Sequence, residues 1–206
     1  MATSVTAPRS TALQPTIVPF LHPQGCRAYL VADAGARKAL AIDVHLDQVD
    51  ELVRHAARAG WALEHVLDTH THADHPSGSA ELARRTGARR LAHEKGKHAG
   101  VAHHPRDGEE LLVGALRARI LHTPGHTPDH LVLHVGDALF AGDTLLIGSV
   151  ARTDFLGGDA GQLFDSLQRL VAELPAATRL FPGHDYQGRT ESTLAAERTT
   201  NPWLGL

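Results

Sequence analysis

The 206-residue chain contains a single cysteine, Cys26, so it cannot form an internal disulfide. Its fold therefore does not depend on an oxidising compartment. No run of about 18 apolar residues occurs, which argues against a membrane-spanning helix. The 20 Lys and Arg residues nearly balance the 23 Asp and Glu residues, and they form no long basic stretch. This balance argues against nucleic acid as the main partner.

The length suits one ordinary domain with a substantial core. Residues 1–15 are rich in Ser, Thr, Ala and Pro, with Arg9 the only charged side chain, and they predict a flexible N-terminal tail. Residues 16–206 are predicted to form a single catalytic domain. Because the tail has no apolar core of a secretory signal, we expect a cytoplasmic protein. Organellar targeting stays open, since the tail also lacks acidic residues.

Short apolar runs alternate with helical patterns from Thr16 onward. One clear helix covers residues 46–59, where acidic residues near the start and Arg58 near the end suit the helix dipole and Gly60 ends the pattern. A second helix is expected at 77–86, a third at 162–173 and a fourth at 191–199. Strands outnumber helices and lie in groups. This order predicts an α+β fold, an αββα sandwich of two packed mixed β-sheets with helices outside.

The chain has 16 histidines, and four metal-binding side chains lie together between Leu67 and Ser77, in the sequence LDTHTHADHPS. They are His70, His72, Asp74 and His75. Such residues in a turn bury little apolar area and repel one another on ionisation, so a shared cation explains them best. If the backbone stays extended, His70, His72 and Asp74 should face one side and His75 the other.

Three further donors follow predicted strands. His126 lies in HTPGHT, Asp143 in FAGDTLL and His184 in FPGHDY. Ends of strands gather at one edge of a layered fold, so these residues are expected to complete a metal site with the histidine loop. Cys26, at the start of a predicted strand, is expected to be a packed small hydrophobic residue.

The run His70-x-His72-x-Asp74-His75, followed in order by His126, Asp143 and His184, resembles the metallo-β-lactamase superfamily. The resemblance covers nearly the whole chain from about Thr16. It implies an αββα sandwich with the metal site at one end, between the sheets. It does not specify the reaction, because one fold carries many chemistries.

Two stretches resemble the persulfide dioxygenase (sulfur dioxygenase) family within this superfamily. They are LLIGSVARTDF, after Asp143, and DYQGRTESTLAAERTTNP, after His184. The chain departs from that family at residues 148–151, where Gly-Ser-Val-Ala replaces the usual Gly-Cys-Gly. Glyoxalase II, the nearest relative, usually has an aromatic-rich segment here and an additional C-terminal helical domain, for which we expect this chain to be too short.

The resemblance implies a set of roles at numbered positions. His70, His126 and Asp143 would be the catalytic ligands of one Fe(II) per chain, and Arg152 and Tyr186 would contact glutathione. The remaining donors would surround this site or form a second one: His72, Asp74, His75 and His184. The implied reaction oxidises glutathione persulfide with O₂ to sulfite and glutathione. A homodimer and a sulfurtransferase of the same pathway are possible partners.

Two other functions fit the same residues. In a dinuclear zinc hydrolase of thioesters or lactones, His70, His72 and His126 would hold one ion. Asp74, His75 and His184 would hold the other, with Asp143 bridging. A metal-buffering module without turnover is disfavoured, since the donors are spread over several loops instead of one short tract. The ARTDF and HDY segments favour the dioxygenase over the hydrolase.

Overall fold

A computed structural model describes residues 13–204, so residues 1–12 of the expected tail lie outside the described part. Within that part, none of the helices has the length and apolar character needed to cross a membrane. The strands are β1 (Thr16–Leu21), β2 (Arg27–Asp33), β3 (Lys38–Ile42), β4 (Ala62–Leu67), β5 (Arg89–Leu91), β6 (Glu110–Val113), β7 (Leu116–His122), β8 (Leu131–Val135), β9 (Ala138–Gly142), β10 (Leu145–Leu146), β11 (Ser149–Val150), β12 (Arg179–Pro182) and β13 (Ser192–Thr193). The α-helices are α1 (Val49–Ala59), α2 (Ser79–Thr86), α3 (Ala160–Glu173) and α4 (Leu194–Thr200).

Eleven of these strands form two mixed sheets, and β10 and β11 form a separate antiparallel pair. The first has the order β1-β2-β3-β4-β5, with antiparallel pairs up to β3 and parallel pairs beyond it. The second has the order β13-β12-β9-β8-β7-β6, in which only β12 and β9 run parallel. Helices α1 and α2 make the crossovers that the parallel pairs of the first sheet require.

Three apolar layers hold these elements together. The central layer packs Tyr29 and Leu40 of the first sheet against Leu133 and Phe140 of the second. One outer layer joins the first sheet to α1 and α2, and the other joins the second sheet to α3 and α4. All seven residues of β2 are buried, because both faces of its sheet are covered. The predicted αββα sandwich is confirmed.

Short strands were missed by the sequence analysis. Strand β6 alternates exposed and buried residues over only four positions, which is too short for a clear pattern. The helix expected at 191–199 begins only at Leu194, because Ser192 and Thr193 first pair with β12. The Thr193 side chain then caps the helix by accepting a hydrogen bond from the backbone N–H of Ala196.

Candidate metal centre

The predicted donors lie at one end of the sandwich, where loops from both sheets meet. The first sheet supplies the β4–α2 loop with His70. The second sheet supplies His126 after β7, Asp143 after β9 and His184 after β12. Because each loop follows the carboxyl end of a strand, distant parts of the sequence reach the same place.

His70, His126 and Asp143 form what we call the first cluster. The Nε2 atoms of His70 and His126 lie 3.8 and 3.7 Å from Oδ2 of Asp143. These distances exceed those of hydrogen bonds. Ligands around one cation, with bonds of about 2.1 Å, lie about 3.0–3.4 Å apart. A contraction of a few tenths of an ångström would therefore close the three atoms around an ion, so these residues fit a metal.

Hydrogen bonds outside the cluster prepare both imidazoles for this role. The hydroxyl of Thr69 donates to Asp43 Oδ2 over 2.7 Å, so its oxygen is left to accept the Nδ1–H of His70 at 2.9 Å. The Nδ1–H of His126 donates to the carbonyl oxygen of Arg152 at 2.9 Å. In both rings the Nε2 lone pair is thereby left free for a cation.

His130 is a buried part of this centre that the sequence analysis did not identify. Its ring stacks on His70, with centroids 4.9 Å apart and planes at 14°. Its Nε2 accepts the backbone N–H of Asp143 at 3.0 Å, which leaves Nδ1–H to face the hydroxyl of Thr144. Burial, with a smaller contribution from His126, lowers the pKa of His130 to about 4. In the sequence, only its position four residues after His126 could have indicated that His130 belongs to this centre. Otherwise His130 resembles an ordinary residue at the start of a strand.

His72 does not join the first cluster. Its Nε2 lies 3.4 Å from Asp43 Oδ1, and although burial opposes protonation, Asp43 raises the pKa of His72. The chain bends at residues 69–70 and 73–75, so the extended backbone on which the one-sided arrangement of His70, His72 and Asp74 depended is not present. His75 Nδ1 lies 3.1 Å from Asp74 Oδ2.

Cys26, Asp74, His75 and His184 form what we call the second cluster. Asp74 Oδ2 is its centre, 3.0 Å from His184 Nε2, 3.1 Å from His75 Nδ1 and 3.5 Å from Cys26 Sγ. Cys26 is buried as expected, and its thiol also contacts the polar side chains of Asp74 and His75. Burial opposes ionisation of the thiol, yet hydrogen bonds with His184 and His75 lower the pKa of Cys26 overall.

His184 connects the two clusters. Its Nδ1 lies 2.8 Å from Asp143 Oδ1, on the carboxylate oxygen that faces away from His70 and His126. Burial alone would lower the pKa of His184, but the hydrogen bonds to Asp143 and Asp74 raise it well above the usual range. Asp143 correspondingly keeps a lowered pKa despite its burial.

A cleft of about 580 Å³ opens over the first cluster. The predicted contacts Arg152 and Tyr186 line it, with 69% of the Arg152 side chain and 75% of Tyr186 exposed. Arg152 Nε donates to Asp154 Oδ1 at 2.7 Å. Phe155 places its ring edge-to-face on His126, with centroids 5.1 Å apart. The ARTDF segment thus forms the cleft wall and positions a predicted ligand.

Two residues of the C-terminal motif, Glu197 and Asn201, hydrogen-bond to the backbone that leads into this wall. Glu197, which is 1% exposed, accepts the backbone N–H of Gly148 at 2.7 Å. Asn201 donates to the carbonyl oxygens of Leu146 and Ser149 at 3.3 and 3.0 Å. These bonds fix the β10–β11 hairpin, which leads directly into Arg152. Residues 148–151, where the chain departs from the persulfide dioxygenase pattern, are thus held by backbone contacts.

The chain is similar to known proteins in sequence and in fold. The metallo-beta-lactamase superfamily matches residues 23–184. The crystal structure of ETHE1 from Myxococcus xanthus is 40% identical, with a TM-score of 0.88 over 92% of this chain and 85% of that one. Persulfide dioxygenase ETHE1 of Homo sapiens is 34% identical over 91% of this chain and 75% of its own length.

Hydrolases are also among the relatives. A hydroxyacylglutathione hydrolase of Polaromonas sp. is 39% identical over 82% of this chain and 66% of its own length. A beta-lactamase hydrolase-like protein of Xylella fastidiosa is 32% identical over 95% of this chain, which spans only 54% of that relative. With the fold, the donor loops and these matches in agreement, the chain belongs to the metallo-β-lactamase superfamily.

Proposed function

We propose that this protein is a mononuclear non-haem iron persulfide dioxygenase that oxidises glutathione persulfide to sulfite and glutathione. The observation that carries the proposal is the first cluster itself, in which two imidazoles and one carboxylate converge. His72 lies beside it, with a donor atom that groups with those of Asp43 and His70. This donor set is the facial triad of iron oxygenases. The persulfide dioxygenase ETHE1 relatives support the same chemistry.

The residues around the triad keep it ready for metal. Fe(II) bound by one face supplies adjacent open positions at which a sulfur atom and O₂ can meet. Thr69 and the Arg152 carbonyl fix the two imidazole tautomers. His130 holds the backbone of Asp143, and His184 occupies the other oxygen of its carboxylate, so that Oδ2 alone is left for the metal.

The cleft offers suitable contacts for the tripeptide. The guanidinium of Arg152 uses Nε for Asp154, so its terminal nitrogens remain available to a substrate carboxylate. Tyr186 lies on the opposite loop and stacks on His184, with ring centroids 6.0 Å apart. Leu146 and Val150 supply apolar wall between these polar ends. His184, held between two carboxylates, keeps a proton beside the cleft floor.

Metal analysis combined with an oxygen electrode tests the proposal. The reaction consumes one persulfide, one O₂ and one water, and it yields glutathione, sulfite and two protons. We expect about one iron per chain and O₂ uptake matched one-to-one by sulfite. Two zinc ions per chain with hydrolysis of a glutathione thioester, and no O₂ uptake, would overturn it. Metal uptake with neither activity would indicate a buffering module and would also overturn it.

A zinc hydrolase is the second candidate, favoured by the hydroxyacylglutathione hydrolase relative. It requires His72 to join His70 and His126, and the donor atom of His72 already lies within 4.8 Å of those of His70 and Asp43. Thioester hydrolysis by the zinc-loaded protein, absent from the iron-loaded one, would support this candidate. A cytoplasmic location, a homodimer and a cooperating sulfurtransferase belong to the proposal as expectations.

A further inference from the structure

We infer that Asp129 is a positioning residue of the metal centre. Through the hydroxyl of Thr71 it joins the loop of His70 to the loop of His126, and it thereby sets the angle at which the two imidazoles approach an ion. The inference concerns the geometry of the first cluster and not its reaction, so it does not depend on the proposed oxygen chemistry. Neither Asp129 nor Thr71 belongs to the donor set predicted from the sequence.

Three residues of the β4–α2 loop lie opposite three residues that lead into β8, in reversed order, as in two antiparallel strands. At one end of this contact the first residue of β8 donates its backbone N–H to the carbonyl oxygen of Thr69 at 2.7 Å. In the middle, the rings of His70 and His130 stack with centroids 4.9 Å apart. At the other end the hydroxyl of Thr71 donates to Asp129 Oδ2, also at 2.7 Å. A backbone bond and a side-chain bond therefore hold His70 from both sides.

The side-chain bond is buried and involves a carboxylate. Asp129 is 2% exposed, so its bond with Thr71 forms away from water. A hydrogen bond to a carboxylate is stronger than one between neutral groups, and a low local dielectric strengthens it further. The pair therefore favours one arrangement of the two loops.

The loop after β5 closes over this bond. His98 Nε2 lies 3.4 Å from Thr71 Oγ1 and 3.9 Å from Asp129 Oδ2. Arg90 donates from Nη2 to His98 Nδ1 at 3.4 Å, so the Nε2–H of His98 faces the pair. A Cβ atom on Gly96 would lie 2.8 Å from Asp129 Oδ2, which shows how closely the backbone packs on the carboxylate. These contacts restrict the Asp129 side chain to its present position.

The pair is connected to all three residues of the first cluster. His70 directly precedes Thr71, and His126 lies three residues before Asp129. The residue after Asp129 accepts the backbone N–H of Asp143 at 3.0 Å. Contacts outside a metal site orient its ligands and change its affinity. Loss of the pair should therefore alter the ligand geometry around the ion, and not only the stability of the fold.

Two substitutions at Thr71 test the inference. Thr71→Val nearly keeps the shape of the side chain and removes its hydroxyl, whereas Thr71→Ser keeps the hydroxyl. Chelator competition measures the affinity for Fe(II), and the visible absorption bands of Co²⁺-loaded protein report the ligand geometry. The bands that are lost in His126→Ala are assigned to the first cluster.

We expect Thr71→Val to lower the iron affinity at least about tenfold and to shift the assigned Co²⁺ bands. Thr71→Ser should match wild type in both measurements. Wild-type affinity and bands in Thr71→Val would overturn the inference. A lower melting temperature with unchanged bands would also overturn it, because the pair would then stabilise only the fold.

A double-mutant cycle tests whether Thr71 and Asp129 act through one bond. Asp129→Ala removes the acceptor, and we expect iron affinity to fall at least about tenfold with the same shift of the bands. The double variant should be no worse than Asp129→Ala, because residues that share one contact are not additive. Additive losses would contradict the inference.

Thr199→Val is the matched control, since its hydroxyl bonds within α4, and it should change neither measurement. Circular dichroism before metal addition verifies folding. If Asp129→Ala is misfolded, the comparison of Thr71→Val with Thr71→Ser decides the question. Absence of O₂ uptake by the wild type would overturn the proposed function alone, because none of these measurements uses turnover.

Discussion

The two donor clusters use similar residues but hold them in different ways. In the first cluster each imidazole gives its Nδ1–H to a group outside, and the Nε2 atoms stay 3.7–3.8 Å from Asp143 Oδ2. In the second, the donors hydrogen-bond one another around Asp74 Oδ2. The first cluster is therefore oriented by its surroundings, whereas the second is stabilised by hydrogen bonds among its own members.

Among the variants that test this comparison, Asp143→Ala should have the largest effect on iron affinity. Asp143→Ala removes one of the three proposed iron ligands, so we expect iron affinity to fall more than about 100-fold. His126→Ala should act similarly. His184→Ala should retain most of the iron, because His184 contacts only Oδ1 of Asp143. Iron per chain after dialysis measures each case. Equal loss from all three variants would place His184 among the iron ligands.

Thr69→Val should have an intermediate effect. The substitution removes the oxygen that accepts Nδ1–H of His70 and leaves the shape of the side chain nearly unchanged. We expect iron affinity to fall about 10–100-fold.

Thr86→Val serves as the control for Thr69→Val, since its hydroxyl bonds only within and just beyond α2. Competition with a chelator measures the iron affinity of each variant. Iron affinity unchanged in Thr69→Val would show that outside hydrogen bonds do not orient the first cluster.

Arg152→Ala should have the smallest effect on metal and a measurable one on substrate. The exposed guanidinium does not contact the donor atoms, while the backbone carbonyl that holds His126 remains in the variant. We expect KM for glutathione persulfide to rise about tenfold, as for loss of one charged hydrogen bond. Iron content should match wild type. Steady-state kinetics check the first expectation, and an unchanged KM would remove Arg152 from the substrate site.

The sequence was most informative about the fold and about donor residues that directly follow a predicted strand. The fold followed from alternating strand and helix patterns, and the donor loops followed from their position after strands. Which donors meet was not predictable, because it depends on bends within the histidine loop and on contacts between the sheets. His72 is two residues from His70 in the sequence, yet its Nε2 lies 3.4 Å from Asp43 Oδ1.

The sequence analysis also did not identify the buried residues that hydrogen-bond to the predicted metal ligands or to their neighbours. His130 and Asp43 lie within or beside strands, where a polar residue gives no pattern of its own. Their importance comes from partners far along the chain, as in the contact between Asp43 and Thr69. The polar contacts of Cys26 were not predictable for the same reason, since its neighbours Asp74 and His184 come from other loops.

The position of Glu197 and Asn201 has a consequence for proteolysis. A cut between β12 and α4 would leave every donor residue of the first cluster in the larger fragment. It would nevertheless release the hairpin at 145–150, since Gly148, Leu146 and Ser149 would lose their bonds to these two residues. Under the proposed function, we expect such a nicked protein to keep its metal while losing selectivity among thiol substrates.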